Sequence, residues 1–427
     1  MNDQAINSSA VPHSVTPAIP VNEPPKGSTS KIIILATICI LIGLSLGGIF
    51  GLVLKNNKAQ EKTGITPAAT NDAKPFLIGE VIPLTGDGAS YGVPVKQASL
   101  VIEREINKQG GIGGRPVKFL FEDGRCSSQD AAIAGEKLIN EVGVDLIHGG
   151  ECSDEFLAVA PISQKKKIIA VTASATSPEV STLGKYVFRA IPSDSFAGKV
   201  AAQYATNKMT AKTAAVIGEN TNYANALTKI FKAEFEALGG KVVIMESYDT
   251  GATKFTDFVA AANKQKVDVV YMVPQTPTPG VLIVKALKDT GSTAKMLTAE
   301  VLLTRDEIPK QGKILDDVVG IETYFDENNP KGKHIINLYK AEYGKDNTYP
   351  TDLVAIYDLV YMYKEAYESV GSNDTDKISE YLYNLKDWDG AAGKITFDRN
   401  GDVTSLPYAI QRIKDKKVSL IETYTVK

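Results

Sequence analysis

The run His148-Gly149-Gly150-Glu151-Cys152-Ser153 sets an imidazole, a carboxylate, a thiol and a hydroxyl beside two glycines. Val144, Leu146 and Ile147 before it read as a short buried strand. Phe156, Leu157, Val159 and Ala160 after it fall on one helical face. The polar cluster therefore occupies a strand-to-helix turn. The first N–H groups of a helix have no partner within it, so such a turn suits a small anion. Gly149 and Gly150 would let a ligand approach the backbone, and Ser153 is placed to cap the helix and to offer its hydroxyl. The competing reading is a capped turn that binds nothing.

Catalytic signatures are missing from the sequence. There is no HExxH, Walker loop or CxxC, and His13, His148 and His334 are too scattered to form a metal set. Asp398 to Asp402, DRNGD, lacks the later glycine and the bidentate glutamate of a calcium loop and reads as a β-turn. The paired glycines in INKQGGIGGRPVKFLF and FEALGGKVVIM close helices, whereas a dinucleotide fingerprint opens one. Neither a cofactor nor a metal is expected, and the chain is not read as an enzyme.

The elements that must position these residues alternate. FLIGEVIPL leads to a helix over Val95 to Asn107, PVKFLFED to a helix over Ala131 to Glu141, and AAVIG to a helix around Ala226 to Leu238. KVVIM precedes a helix near Phe255 to Lys264, and DVVYMVP follows. Short apolar strands between longer amphipathic helices predict parallel sheets covered on both faces, in two successive α/β units. A net charge of −3 over 427 residues, with no long basic block, argues against nucleic acid as a partner.

Ile32 to Leu54 is free of charge and bounded by Lys31 and Lys55. At about 1.5 Å per residue it is long enough to span a bilayer core. The expected reading is a transmembrane signal anchor over 31–55, since a cleaved signal peptide would have a shorter apolar core and a small-residue cleavage site. Residues 1–30 lack the apolar content to fold, and 56–75 read as a flexible tether.

The stretch IGEVIPLTGDGASYGVPVKQASLVIEREINKQGGIGGRPVKFLFED resembles the opening of the branched-chain amino-acid-binding proteins of ABC importers, a type 1 periplasmic-binding-protein family. The resemblance continues through SPEV, RAIPSDS and KITFDRNGD and covers Phe76 to Lys427. It implies two Rossmann-like α/β lobes joined by three hinge crossings, near Ile191 to Asp194, Gly320 to Tyr324 and Gly393 to Phe397. Lobe 1 would take 76–193 and 324–395, and lobe 2 would take 194–323 and 396–427. The implied function is capture of an amino acid outside the cell membrane and delivery to ABC permease subunits.

The resemblance also assigns residues. Ser153, with Ser174 and Thr176 of the second turn TASAT, would meet the ligand carboxylate. Glu300 would accept its ammonium group, and Tyr91 and Tyr223 would close over it. Cys126 and Cys152 align with a disulfide-bonded pair, the alternative being two buried free thiols. Glu151, Gln275 and Asp352 stand where branched-chain binders place apolar residues, which implies a polar or cationic ligand side chain. Two rival readings share the fold: a sensor domain, and a binder of amides, urea-type solutes or small peptides.

Overall fold

The computed structural model describes residues 73–305 and 307–424. The first unit runs β1 (Phe76–Ile82), α1 (Ala89–Lys108), β2 (Val117–Asp123), α2 (Ser128–Glu136), β3 (Leu146–Gly149), α3 (Ser153–Lys165), β4 (Ala170–Thr172) and β5 (Val187–Arg189). These strands form one parallel sheet in the order β2-β1-β3-β4-β5. Successive strand residues face opposite sides, which gives the sheet two cores. Val171 and Phe188 pack with α1, while Ala170 and Val187 pack with α2 and α3.

The second unit runs α4 (Asp194–Asn207), β6 (Thr213–Glu219), α5 (Asn222–Ala237), β7 (Lys241–Tyr248), α6 (Thr256–Gln265), β8 (Val269–Val273), α7 (Pro277–Asp289), β9 (Lys295–Thr298), α8 (Glu307–Lys310) and β10 (Val319–Thr323). The chain then returns to the first unit with α9 (Pro330–Tyr343), α10 (Pro350–Val370), α11 (Thr375–Asn384) and the short pair β11 (Trp388–Asp389) and β12 (Lys394–Ile395). It ends with β13 (Tyr408–Lys414) and β14 (Lys417–Tyr424) in the second sheet, ordered β14-β13-β10-β9-β8-β6-β7. Five of these strands are parallel, and β13 and β14 add an antiparallel edge that the strand–helix alternation did not predict.

Two expectations change. Helix α1 begins at Ala89, six residues before the expected Val95, and so carries Pro94 inside its second turn, where the ring removes one i→i−4 hydrogen bond. That earlier start puts Tyr91 on the helix. The third crossing also moves. Ile395, Phe397, Val403 and Leu406 remain in the first lobe's core, and Asp402 bridges to Arg189, so the chain crosses between Leu406 and Tyr408 rather than at Gly393 to Phe397. The expected membrane span lies outside the described residues. Among the described residues no helix is long and apolar enough to cross a membrane.

Candidate ligand-binding cleft

A cavity of about 750 Å³ lies between the lobes, and all nine residues assigned from the sequence line it. Each sits where a strand ends or a helix begins. Lobe 1 contributes Tyr91 from the first turn of α1, Glu151 and Ser153 from the β3–α3 turn, Ser174 and Thr176 from the turn after β4, and Asp352 from the first turn of α10. Lobe 2 contributes Tyr223 from the first turn of α5, Gln275 from the β8–α7 turn and Glu300 from the 3-10 turn after β9. Carboxyl ends of parallel strands converge on one crevice in this architecture.

The two serine-bearing turns are tied together. Thr172 Oγ1 accepts from the N–H groups of Ser174 at 3.3 Å and Ala175 at 3.0 Å and donates to the Gly150 carbonyl at 3.3 Å. Ser153 Oγ accepts from the Ser177 N–H at 3.2 Å, which leaves its own proton to donate. Ser153 is therefore not the helix cap. Cys152 takes that position, with its N–H donating to Glu155 Oε2 at 3.2 Å.

The two glycines serve the backbone rather than a ligand. A Cβ on Gly149, at φ +131°, would lie 2.3 Å from the Val81 carbonyl oxygen, and one on Gly150, at φ +67°, would lie 2.4 Å from Phe156 Cβ. They allow β1 and α3 to approach the turn.

Beneath the second turn lies Arg189, wholly buried. Its Nε donates to Asp402 Oδ1 at 2.6 Å, and its remaining nitrogens donate to the Ala175 and Ser177 carbonyls and to Ser181. Sequence reasoning passed over this residue, although it stands in the RAIPSDS motif.

On the lobe 2 side the Tyr223 hydroxyl donates to Glu300 Oε1 at 2.8 Å. Burial raises the pKa of Glu300 from its ordinary value, opposed by its own backbone N–H and by the bond from Tyr223. Asp194, also unassigned from the sequence, lines the same cavity and is pushed well up by burial and by the charge of Glu300. Its Oδ2 has no hydrogen-bond partner. Glu322, a third unassigned acid, is raised to about 7 by burial and donates nothing in its ionised form, accepting instead from Thr351 at 2.8 Å. Asp194 and Glu322 stand in the first two crossings. A charge inside a crossing segment was the signal that could have found them.

The lobes touch around the cavity. The Tyr91 hydroxyl donates to the Gln275 carbonyl at 2.9 Å, and its ring stacks on Tyr349 with centroids 4.7 Å apart. The N–H and side-chain amide of Asn222 donate to Asp154 at 3.0 and 2.6 Å. Cys126 and Cys152 form a disulfide with Cα atoms 5.1 Å apart, and the Gln275 amide reaches Cys152 Sγ at 3.7 Å. A bridge here braces the turn that carries Ser153.

Residues 75–417 match the family profile described as periplasmic binding protein. The chain belongs to that family. This periplasmic binding protein is 26% identical over 331 residues to the leucine-, isoleucine-, valine-, threonine- and alanine-binding protein of Pseudomonas aeruginosa, covering 77% of this chain and 87% of that one. A leucine-binding protein from Thermotoga maritima shares 26% identity and superposes with a TM-score of 0.76, covering 82% of this chain and 98% of that chain. Two more distant structures share the fold. One is a branched-chain amino acid transporter substrate-binding protein from Streptococcus pneumoniae in complex with isoleucine, at 21% identity, TM-score 0.74 and coverage of 83% and 100%. The other is an ABC-transporter solute-binding protein from R. palustris in complex with benzoate, at 17% identity, TM-score 0.74 and coverage of 82% and 96%. The fold of this periplasmic binding protein is thus the two-lobed α/β architecture of solute-binding proteins.

Proposed function

We propose that this periplasmic binding protein captures an α-amino acid between its lobes, outside the cell membrane, and presents it to the permease of an ABC importer. Ile32 to Leu54 would hold it at the membrane as a single-pass anchor. The observation that carries the ligand class is the opposition of two kinds of partner across one cavity. Hydroxyl-bearing residues Ser153, Ser174 and Thr176 line it from lobe 1, and the Glu300 carboxylate, held by Tyr223, lines it from lobe 2. A zwitterion carries both charges within a few ångströms, and each must find a partner when it leaves water.

Ser and Thr hydroxyls serve a carboxylate without adding a charge, and Glu300 supplies the one charge an ammonium needs. A benzoate-like acid brings a carboxylate and no cation, so Glu300 and Asp194 would be left to bind protons instead. Contacts between the lobes at Tyr91–Gln275 and Asp154–Asn222 suit a ligand that is enclosed and then read by a permease through closure. The names of the relatives agree with this reading, since several are named for amino acids.

Calorimetric titration of the full chain in detergent, stripped of carried-over ligand, with the twenty amino acids and with benzoate tests the proposal. One amino-acid class should bind. Ser153→Ala should weaken it by about 10- to 100-fold, the equivalent of a lost charge-assisted hydrogen bond of about 1.5 to 3 kcal/mol. Glu300→Ala should weaken it further, because the ammonium loses its partner. Binding of benzoate with no amino-acid binding would overturn the reading.

A further inference from the structure

The cavity holds more buried carboxyl groups than an amino acid with an uncharged side chain can satisfy. Glu300 and Asp194 stand together on one side, enough for an α-ammonium. Glu151 and Asp352 face the same cavity from lobe 1, only 5% and 8% exposed. Neither carboxylate oxygen of Glu151 has a partner of hydrogen-bonding geometry, although the Ser174 hydroxyl lies near enough to favour its ionised form.

The groups that act on these two acids are nearly all negative. Glu151 faces Glu80 and Glu155, and Asp352 faces Glu151, Glu322 and Glu300. His148, three residues before Glu151, is already hydrogen-bonded through Nδ1 to Glu80 Oε1 at 2.5 Å. The cavity's cations are engaged elsewhere: Arg305 pairs with Glu327, and Lys416 and Lys417 lie exposed at the β13–β14 turn. Arg189 is paired with Asp402.

Building on the amino-acid reading above, we propose that the ligand is a basic amino acid whose side-chain ammonium or guanidinium is held by Glu151 and Asp352. A leucine-like side chain would seal two carboxylates against methyl groups with nothing in return. A glutamine-like amide could donate to one oxygen but would bring no charge. A guanidinium or ammonium satisfies both acids at once, and a guanidinium can do so with a planar fork.

A second consequence concerns protons. Burial, with the neighbouring acids, pushes Glu151 and Asp352 well above their ordinary values, which favours their protonated forms in the empty cleft. A cation entering between them restores their ionised forms and releases protons.

The test is calorimetry on the full chain in detergent at pH 7 with L-lysine, L-arginine, L-ornithine, L-glutamine and L-leucine. Each is run in two buffers of different ionisation enthalpy. Agmatine, arginine without its carboxylate, is the control for the zwitterion site. The basic amino acids should bind at least about 30-fold more tightly than leucine or glutamine, agmatine should bind weakly, and binding should release protons. Glu151→Gln and Asp352→Asn should each remove most of the preference and lower the proton count.

Tight binding of leucine or glutamine with no basic amino acid would overturn this inference while leaving the amino-acid reading intact. Failure of every amino acid would overturn both. Tight binding of agmatine would keep the paired acids and remove the zwitterion. If a variant does not fold, the specificity panel and proton count of the unaltered chain decide the matter alone.

Discussion

Tyr223 illustrates how a single hydroxyl prepares a charge. Its ring is buried in the lobe 2 core with Phe231 and Leu227, and its oxygen donates to Glu300 Oε1. The bond fixes the carboxylate before a ligand arrives, so little order has to be imposed on binding. Tyr223→Phe keeps the ring and removes the bond. Ligand affinity should fall about tenfold with the melting temperature little changed, as read by calorimetry beside a thermal melt. Unchanged affinity would show that Glu300 needs no orienting partner. Tyr91 differs in what its hydroxyl reaches, bonding the Gln275 backbone of the other lobe, so its polar contact closes the lobes on each other.

At the level of elements, the turn after β4 depends on one arginine. Arg189 closes β5, pairs with Asp402 from the DRNGD turn and donates to the carbonyls of Ala175 and Ser177. One buried cation thereby joins three segments distant in sequence. Arg189→Met fills similar volume but leaves Asp402 and two carbonyls without their partner. A loss of about 3 to 5 kcal/mol in stability follows from breaking a buried pair on one side. Denaturant unfolding should show it, accompanied by weaker ligand binding, because Thr176 and Ser177 lose their support. An unaltered unfolding midpoint would mean the pair contributes nothing net.

The molecule as a whole carries buried acids in several places. Burial raises Glu155, beside the disulfide, to about 8, and raises Asp358, which accepts from the Ala391 and Ala392 N–H groups, to about 7. Glu322 at the cleft also rises to about 7. Their folded values lie above the unfolded ones, so the stability they contribute is complete below about pH 4 and is lost as pH climbs through 7 to 8.

Asp123, hydrogen-bonded by Thr85 and by the Leu84 N–H, and Asp268, held by the Lys212 and Thr213 N–H groups, are shifted downward and act in the opposite sense. Their contribution is present above about pH 4 and fades as pH falls. The melting temperature of the ligand-free chain should therefore peak at about pH 4, where both sets contribute, and decline toward pH 8.5. A flat profile between pH 5 and 8.5, measured by scanning fluorimetry, would mean that the buried acids titrate close to their unfolded values.

Much of this was readable along the chain. The alternation of short apolar strands with amphipathic helices specified two α/β units, because strands buried on both faces must be apolar throughout and helices only on one stripe. A strand-to-helix turn rich in small polar residues marked one wall of the cleft, and the family resemblance named seven further residues that line the same cavity.

What no stretch of sequence contains is the sum of charges that meet from both lobes. Asp194, Glu300, Glu322 and Asp352 lie far apart in the chain and acquire their shared field only when the lobes are brought together around one cavity. The same holds for Arg189, whose partner is more than two hundred residues away. Local patterning sets which face of an element is buried, because that is decided by neighbours three or four positions off. Burial of charge, its pairing and its protonation depend on what the rest of the chain places within a few ångströms, and that is a property of the assembled fold.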